Sequence, residues 1–252
     1  MMESTLRIAL IYPDLLGTYG DRGNALVLAH RARARGITAE VIEVDARSSI
    51  PESCDIYLLG GGEDAAQVAA AEGLMLAKAT IERSIEAGSA IFAVCAGFQL
   101  LGNSYAAADG SELQGIALLD MVTTAGSDRI IGEVVIEPAQ ASGLPLLTGF
   151  ENHGGRTLLG PGEAPLGRVI AGRGNGNGVD GVMRDGVIGT YLHGPALARN
   201  PALADYLISY TTRISLEPLV DDLLEQYRAE RLAYASLTGA NLKRATRRLH
   251  RG

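Results

Sequence analysis

Cys95 is the residue whose setting points most directly to chemistry. It ends an apolar run, Ala90 to Val94, and is followed at once by Ala96, Gly97 and a helix-like FQLLG. A nucleophile on a sharp strand-to-helix turn needs small neighbours, and Ala96 and Gly97 supply them. The helix that follows aims N–H groups and a positive dipole end at the sulfur, which favours the reactive thiolate. Cys54, within PESCD, has no such setting and reads as a structural residue. A cysteine nucleophile needs a base, and four histidines compete for the role. His30 falls in a helix among arginines, His250 in a basic tail, and His153 in FENHGGRT, which reads as a turn-rich loop holding a hydrogen-bonded structural histidine. His193 follows the run VIGTYL and precedes Gly194-Pro195. Sites in α/β proteins assemble at the carboxyl ends of strands, so His193 is the favoured base. Gly60-Gly61-Gly62 follows the strand DIYLL and can turn backbone N–H groups into a cleft. Together with the N–H of Ala96, such donors stabilise an oxyanion in acyl transfer. GGGED is not a dinucleotide fingerprint, because it lacks GxGxxG.

These residues must be positioned by an α/β scaffold. Leu6 to Tyr12 reads as a buried strand, and a helix starting at Asp21 or Asn24 runs through Arg35 and stops at Gly36. Further strands are expected over Ala39 to Val44, Asp55 to Leu59 and Ala90 to Val94, with a helix over Leu74 to Ala87. Strands alternating with helices predict a mostly parallel sheet covered on both faces. After Gly102 the pattern changes to shorter β-rich pieces: Arg129 to Glu137, Leu166 to Ala171, Gly181 to Arg184 and Val187 to Leu192. RGNGNGVDG reads as the turn region of a hairpin. Asn200 to Thr212 and Glu217 to Leu249 read as helical. The expected organisation is a catalytic domain over 1–215 and a helical C-terminal extension over 216–252.

Composition narrows the function. The 252 residues are 47% hydrophobic and 20% charged, which excludes global disorder. A net charge of −7, no Trp and 5% aromatics argue against nucleic-acid binding. The charge is uneven: Lys243 to Gly252 carries five basic residues and no acid, and the rest of the chain has 17 basic against 29 acidic residues. Two cysteines make no disulfide framework, and no Cys/His pair has zinc spacing, so no metal site is expected. Glu3 and the short apolar run at the start do not make a signal peptide, and no apolar run reaches 18 residues. A cytoplasmic location is the expectation.

The motifs GGGED, CAGFQ and YLHGP together resemble the class I, or triad, glutamine amidotransferases, in the branch that looks like cobyric acid synthase. IYPDLLGTYGDRGN, CAGFQLLG, GFENHGGRT and GTYLHGP resemble more specifically the GatD subunits of lipid II isoglutaminyl synthase, over about residues 11 to 195. The resemblance implies that Cys95 attacks the side-chain amide of L-glutamine, that His193 relays the proton to the leaving ammonia, and that water hydrolyses the thioester. It implies oxyanion donors at Gly62 and Ala96 and a substrate contact from Gln99. It also implies an arginine that anchors the substrate α-carboxylate. Arg129, before the strand IIGEVVIEP, matches that place, and a guanidinium fork fits a carboxylate.

One position departs from the class pattern. Many class I enzymes read His-x-Glu, and here Pro195 occupies the place of the acid. The next acid downstream is Asp205, inside a helix, so the third member of a triad is open. The chain also has no ATP-binding loop: its only lysines, Lys78 and Lys243, lie in LAKAT and NLKRA, not in GK[ST]. No cofactor is expected in this chain. By resemblance the ATP- and Mg-dependent synthetase is a separate Mur-ligase-like chain, MurT, and the pair amidates the D-glutamate α-carboxylate of lipid II to D-isoglutamine. Competing readings are a glutaminase serving another acceptor such as a corrinoid, a cysteine hydrolase or redox sensor on a similar elbow, and a non-catalytic binding subunit.

Overall fold

The computed structural model describes residues 5–18, 20–106 and 111–249, with Asp64 and 236–249 as backbone only. The buried apolar run LRIALI forms β1 (Leu6–Ile11). Then follow α1 (Arg22–Arg33), β2 (Ala39–Val44), β3 (Ile56–Leu59), α2 (Asp64–Glu86), β4 (Ala90–Val94) and the short α3 (Ala96–Leu100). The second half contains β5 (Ser104–Ala106), β6 (Glu112–Gln114), β7 (Met121–Pro138), β8 (Leu147–Leu159), β9 (Gly167–Ala171), β10 (Val179–Asp180), β11 (Val182–Arg184) and β12 (Val187–Thr190). It closes with α4 (Ala196–Arg199), α5 (Pro201–Thr212) and α6 (Asp222–Leu249).

The strands form two sheets. The first runs β11-β12-β4-β3-β1-β2, and all its pairs are parallel except β11 with β12. Strands β3, β4 and β12 are buried at every position, as expected for a parallel sheet covered on both faces. The second sheet runs β10-β9-β7-β5-β6, with β8 paired antiparallel to β7 along most of its length. Residues of both sheets and of α1, α3 and α5 share one core, from Leu6 and Phe92 to Tyr105, Leu147 and Leu207.

The β-rich pieces after Gly102 divide between the sheets: Arg129 to Glu137 and Leu166 to Ala171 build the second, while β11 and β12 complete the first. FENHGGRT, expected as a turn-rich loop, is instead the middle of β8. Gly155 marks a close approach rather than a turn, whereas Gly154 faces open space. A Cβ on Gly155 would stand 2.5 Å from the Gln99 amide nitrogen and 2.7 Å from the Thr123 methyl. RGNGNGVDG does make the connection of the β9–β10 hairpin, with Gly174, Gly176 and Gly178 at positive φ.

The C-terminal helix is anchored at its base. Arg228, itself buried, donates to the carbonyls of Arg199 and Leu146, at 3.1 and 2.8 Å, and Arg231 pairs with Glu133 at 3.5 Å. The side chains of the basic run from Lys243, and residues 250–252 with His250, lie outside the described residues. Among the described residues no helix is long and apolar enough to cross a membrane.

Candidate active site

Cys95 stands on the turn between β4 and α3 with φ 52° and ψ −107°. A non-glycine residue at such angles carries strain of about 1–3 kcal/mol, and it persists only where the surroundings hold it. Here the backbone is held at both ends. The Cys95 N–H donates to the Thr190 carbonyl at 2.9 Å, and its own carbonyl accepts from the Gln99 N–H at 2.9 Å. Gly97 leaves no room for a side chain, since a Cβ there would meet the Leu59 backbone at 2.9 Å. Of the two small residues expected after the nucleophile, Gly97 is thus required by the packing of the turn on β3, and Ala96 is fully buried.

The glycine loop lies directly against the elbow. The Gly97 N–H donates to the Gly60 carbonyl at 3.0 Å, which brings Gly60-Gly61-Gly62 to the start of α3. Ala96, buried, follows the thiol, and Gly62 is half-buried in the facing loop.

His193 arrives from the neighbouring strand. Thr190 pairs with Val94, so β12 and β4 release their chains side by side, and the sequence expectation of a base after VIGTYL is placed next to the elbow. The second sheet then clamps the His193 backbone: its N–H donates to the Phe150 carbonyl at 2.9 Å, and its carbonyl accepts from the Phe150 N–H at 3.1 Å. Burial first, then the neighbouring His153 and Arg129, lower the His193 imidazole to about 4. The ring is therefore neutral at pH 7 and competent to take a proton. Arg129, on the irregular stretch of β7 between Ala125 and Ile130, donates from Nε to Asn152 Oδ1 at 2.7 Å. Arg129 directly precedes Ile130, which pairs with His153, the residue stacked on Tyr191 beside His193.

Behind these groups lies a buried polar network that the sequence did not announce. His153 stacks on Tyr191, with ring centroids 3.7 Å apart and planes 10° from parallel, and its Nδ1 lies 3.0 Å from the Gly155 carbonyl. Tyr191 Oη bonds Thr157 Oγ1 at 2.7 Å and accepts from the Gln99 amide at 3.1 Å. Gln99 Oε1 in turn accepts from Gln67 Nε2 at 3.1 Å. Both ends of the Gln99 amide are thereby engaged within the protein. Asp180, brought by the β9–β10 hairpin, accepts from Thr190 Oγ1 at 2.6 Å and from the Tyr191 N–H at 3.3 Å. Burial pushes the Asp180 carboxyl up to about 7. Asp180 therefore braces the end of β12 that supports both Cys95 and His193. The adjacency of Tyr191 to His193 was the only available signal for this layer.

The remaining candidates separate cleanly. Cys54 is buried away from the elbow, its N–H donating to Tyr57 Oη at 3.3 Å, and burial pushes its thiol up. His30 is exposed on α1. Asp205, the next acid after His193, is gripped by Arg31 at 2.7 Å and Arg35 at 2.8 Å. Asp185 sits in the turn before β12, at the end opposite His193.

This arrangement has the fold of the class I glutamine amidotransferases, with a cysteine elbow on the parallel sheet and a histidine on the adjacent strand. A solved structure titled as a glutamine amidotransferase superposes with a TM-score of 0.55, 18% identity and coverage of 81% of this chain and 98% of that one. The chain belongs to the CobB/CobQ-like glutamine amidotransferase domain family, whose pattern matches residues 7–201. It is 38% identical over 198 residues to the GatD subunit of the glutamine-hydrolysing lipid II isoglutaminyl synthase of Staphylococcus aureus (strain N315), covering 77% of this chain and 79% of that protein. It is 37% identical over 235 residues to the GatD subunit of Streptococcus pneumoniae (strain ATCC BAA-255 / R6), covering 89% of each.

Proposed function

We propose that this chain is the glutaminase subunit of a two-chain lipid II isoglutaminyl synthase. The observation that carries the reading is the strained Cys95 elbow, seated between the Gly60–Gly62 loop and the neutral His193, in a chain similar to GatD over most of its length. His193 takes the Cys95 thiol proton, and the sulfur attacks the side-chain carbonyl carbon of L-glutamine. The N–H groups of Gly62 and Ala96 receive the oxyanion. Collapse of the tetrahedral intermediate breaks the C–N bond, and His193 returns the proton to the departing nitrogen, releasing ammonia. A water molecule, deprotonated by His193, then hydrolyses the γ-glutamyl thioester to glutamate and restores the thiol. Gln99 lies on the helix that follows the thiol, and both ends of its amide are engaged by Gln67 and Tyr191, so its part is to hold that helix in place and not to contact the substrate.

Arg129 is the anchor for the α-carboxylate of glutamine. Charge-assisted hydrogen bonds of this kind are worth about 1.5–3 kcal/mol. Arg129→Ala is expected to lower kcat/KM for glutamine by roughly tenfold or more with the fold intact. A folded variant with unchanged glutamine kinetics removes Arg129 from the site.

Ammonia passes to a Mur-ligase-like, MurT-type partner that carries ATP and Mg, works in the cytoplasm, and amidates the D-glutamate of lipid II. Purification of the chain with its native partner tests this: a co-purifying ATP-dependent ligase that converts lipid II to its isoglutaminyl form is the expected result. A corrinoid-amidating partner overturns the choice of acceptor.

The same partner supplies the carboxylate that orients His193. Pro195 stands in the usual place of the acid, and Asp205 is taken by two arginines. A carboxylate brought to the imidazole raises it from about 4, because it stabilises the imidazolium. Assembly is therefore expected to raise the rate of ammonia release and move the acid limb of the pH profile upward. Replacing the partner's carboxylates near the cleft by amides reverses both effects. An isolated chain as fast as the complex, indifferent to those replacements, rules the idea out.

A further inference from the structure

The segment before α1 and the start of that helix, GDRGN, reach both halves of the site, and the chemistry described above gives them no role. Asp21 occupies the N-cap of α1, where an aspartate ordinarily bonds the N–H groups of its own first turn. It makes no such cap. Its side chain is instead buried at 2% exposure, and Oδ2 accepts from the Gly61 N–H, the middle residue of the glycine loop, at 2.7 Å. Its other oxygen accepts from Asn24 Nδ2 at 3.3 Å. Asn24 Oδ1 then accepts from the Leu197 N–H at 2.9 Å, four residues beyond His193. One continuous hydrogen-bonded chain runs from the glycine loop through α1 to the segment that carries the histidine.

The packing follows the same path. A Cβ on Gly60 would stand 2.0 Å from the Leu16 carbonyl and 2.7 Å from Asp21 Cβ. A Cβ on Gly23 would stand 2.4 Å from the ring of Pro195. The backbones must therefore approach closely at both ends of the chain of bonds. Burying a carboxylate is costly unless the charge is used, and burial pushes the Asp21 carboxyl up to about 6.

We propose that Asp21 and Asn24 form a clasp that positions the glycine loop against Cys95 and ties it in register to the His193 segment. Asp21 is a positioning residue. By holding the Gly61 N–H it fixes the Gly60–Gly61 peptide, and the Thr18 N–H, donating to the Gly61 carbonyl at 3.3 Å, holds the next peptide, which carries the Gly62 N–H that serves as the oxyanion donor. The inference rests on the glutaminase reading and on the oxyanion role of Gly62.

The direction of the bonds dictates the test. Asp21 must accept at both oxygens, and Asn24 must donate at one end and accept at the other. Asp21→Asn keeps the shape but leaves two amide groups donating to each other, or an unpaired N–H at Gly61 or Leu197. The double variant Asp21→Asn/Asn24→Asp restores the order. The amide now at position 21 accepts from Gly61 and donates to the carboxylate now at position 24, which accepts from Leu197. Both are measured in the complex as purified from its source, with glutamine kcat and KM, alkylation of Cys95 by iodoacetamide, and Tm. Asp21→Asn is expected to lower kcat by roughly tenfold or more, because a misplaced donor is lost mainly in the transition state. KM and alkylation, which need no oxyanion donor, stay near wild type, and the double variant regains most of kcat. A folded Asp21→Asn with wild-type kcat, or a double variant no better than the single one, overturns the clasp. Should Asp21→Asn fail to fold, Asn24→Ala leaves Asp21 in place and severs Leu197. Lowered kcat at wild-type KM then supports the proposal, and unchanged kcat overturns it. A wild-type complex that releases no ammonia from glutamine defeats the glutaminase reading and takes the clasp's catalytic role with it.

Discussion

Cys95→Ser is expected to abolish ammonia release from glutamine, while Cys54→Ser leaves it at the wild-type rate. The two cysteines are both buried, so burial does not distinguish them. What does is the backbone. Cys95 is held at φ 52° with its N–H on the neighbouring strand, beside the glycine loop, whereas Cys54 lies in the loop before β3 with its thiol pushed up by burial. A serine hydroxyl in the same place is a far weaker nucleophile at neutral pH than a thiol. Loss of the nucleophile in an assembled site costs on the order of 10⁴-fold or more. Alkylation by a glutamine-like electrophile, mapped by mass spectrometry, is expected on Cys95 alone. Labelling of Cys54 with Cys95 untouched would sink the assignment.

The second large effect is at His193. His193→Gln removes the base and the acid for both half-reactions, with an expected loss of roughly 10²–10⁴-fold. His193→Gln also alters the pH dependence of stability, with a definite sign. The folded imidazole lies near 4, below the ordinary value of 6.5, because burial, His153 and Arg129 disfavour the cation. The stability it contributes is complete above the unfolded value and is lost as pH falls from about 6.5 through about 4, since the unfolded chain binds the proton first. In the variant this slope between pH 6.5 and 4 flattens. Urea denaturation at several pH values reads the slope, and initial rates of ammonia release read the activity. Full activity in His193→Gln, with the slope unchanged, transfers the role of base to His153.

His153 illustrates why the site was only partly legible. Its neighbours in sequence, Asn152, Gly154 and Gly155, have the composition of a turn, and nothing local reveals that Asn152 pairs with Ile131, His153 with Ile130 and Gly155 with Ala125 of β7. Pairing with a strand some twenty residues away overrides local propensity, and it brings His153 onto the face of Tyr191 next to His193. Asp180 is a similar case. RGNGNGVDG is readable as a turn, but the bond from Thr190 to its one carboxylate, Asp180, exists only because the second sheet packs against the end of β12.

Short-range facts along the chain suffice for the parallel sheet and for the elbow at Cys95, a setting that Cys54 lacks. An apolar run is long enough for one buried strand, and small residues follow at a turn that tolerates nothing larger. The same kind of fact points to His193, because the end of a parallel strand is where side chains enter the cleft. The second sheet, the engagement of Gln99 by Gln67 and Tyr191, and the reach of Asp21 to Gly61 have a different origin. Those side-chain contacts join residues 32 to 92 positions apart, and the lowering of the His193 imidazole follows first from the removal of water around it. Such contacts follow from the packing of whole elements, and neither spacing nor composition along the chain encodes which buried polar groups will meet.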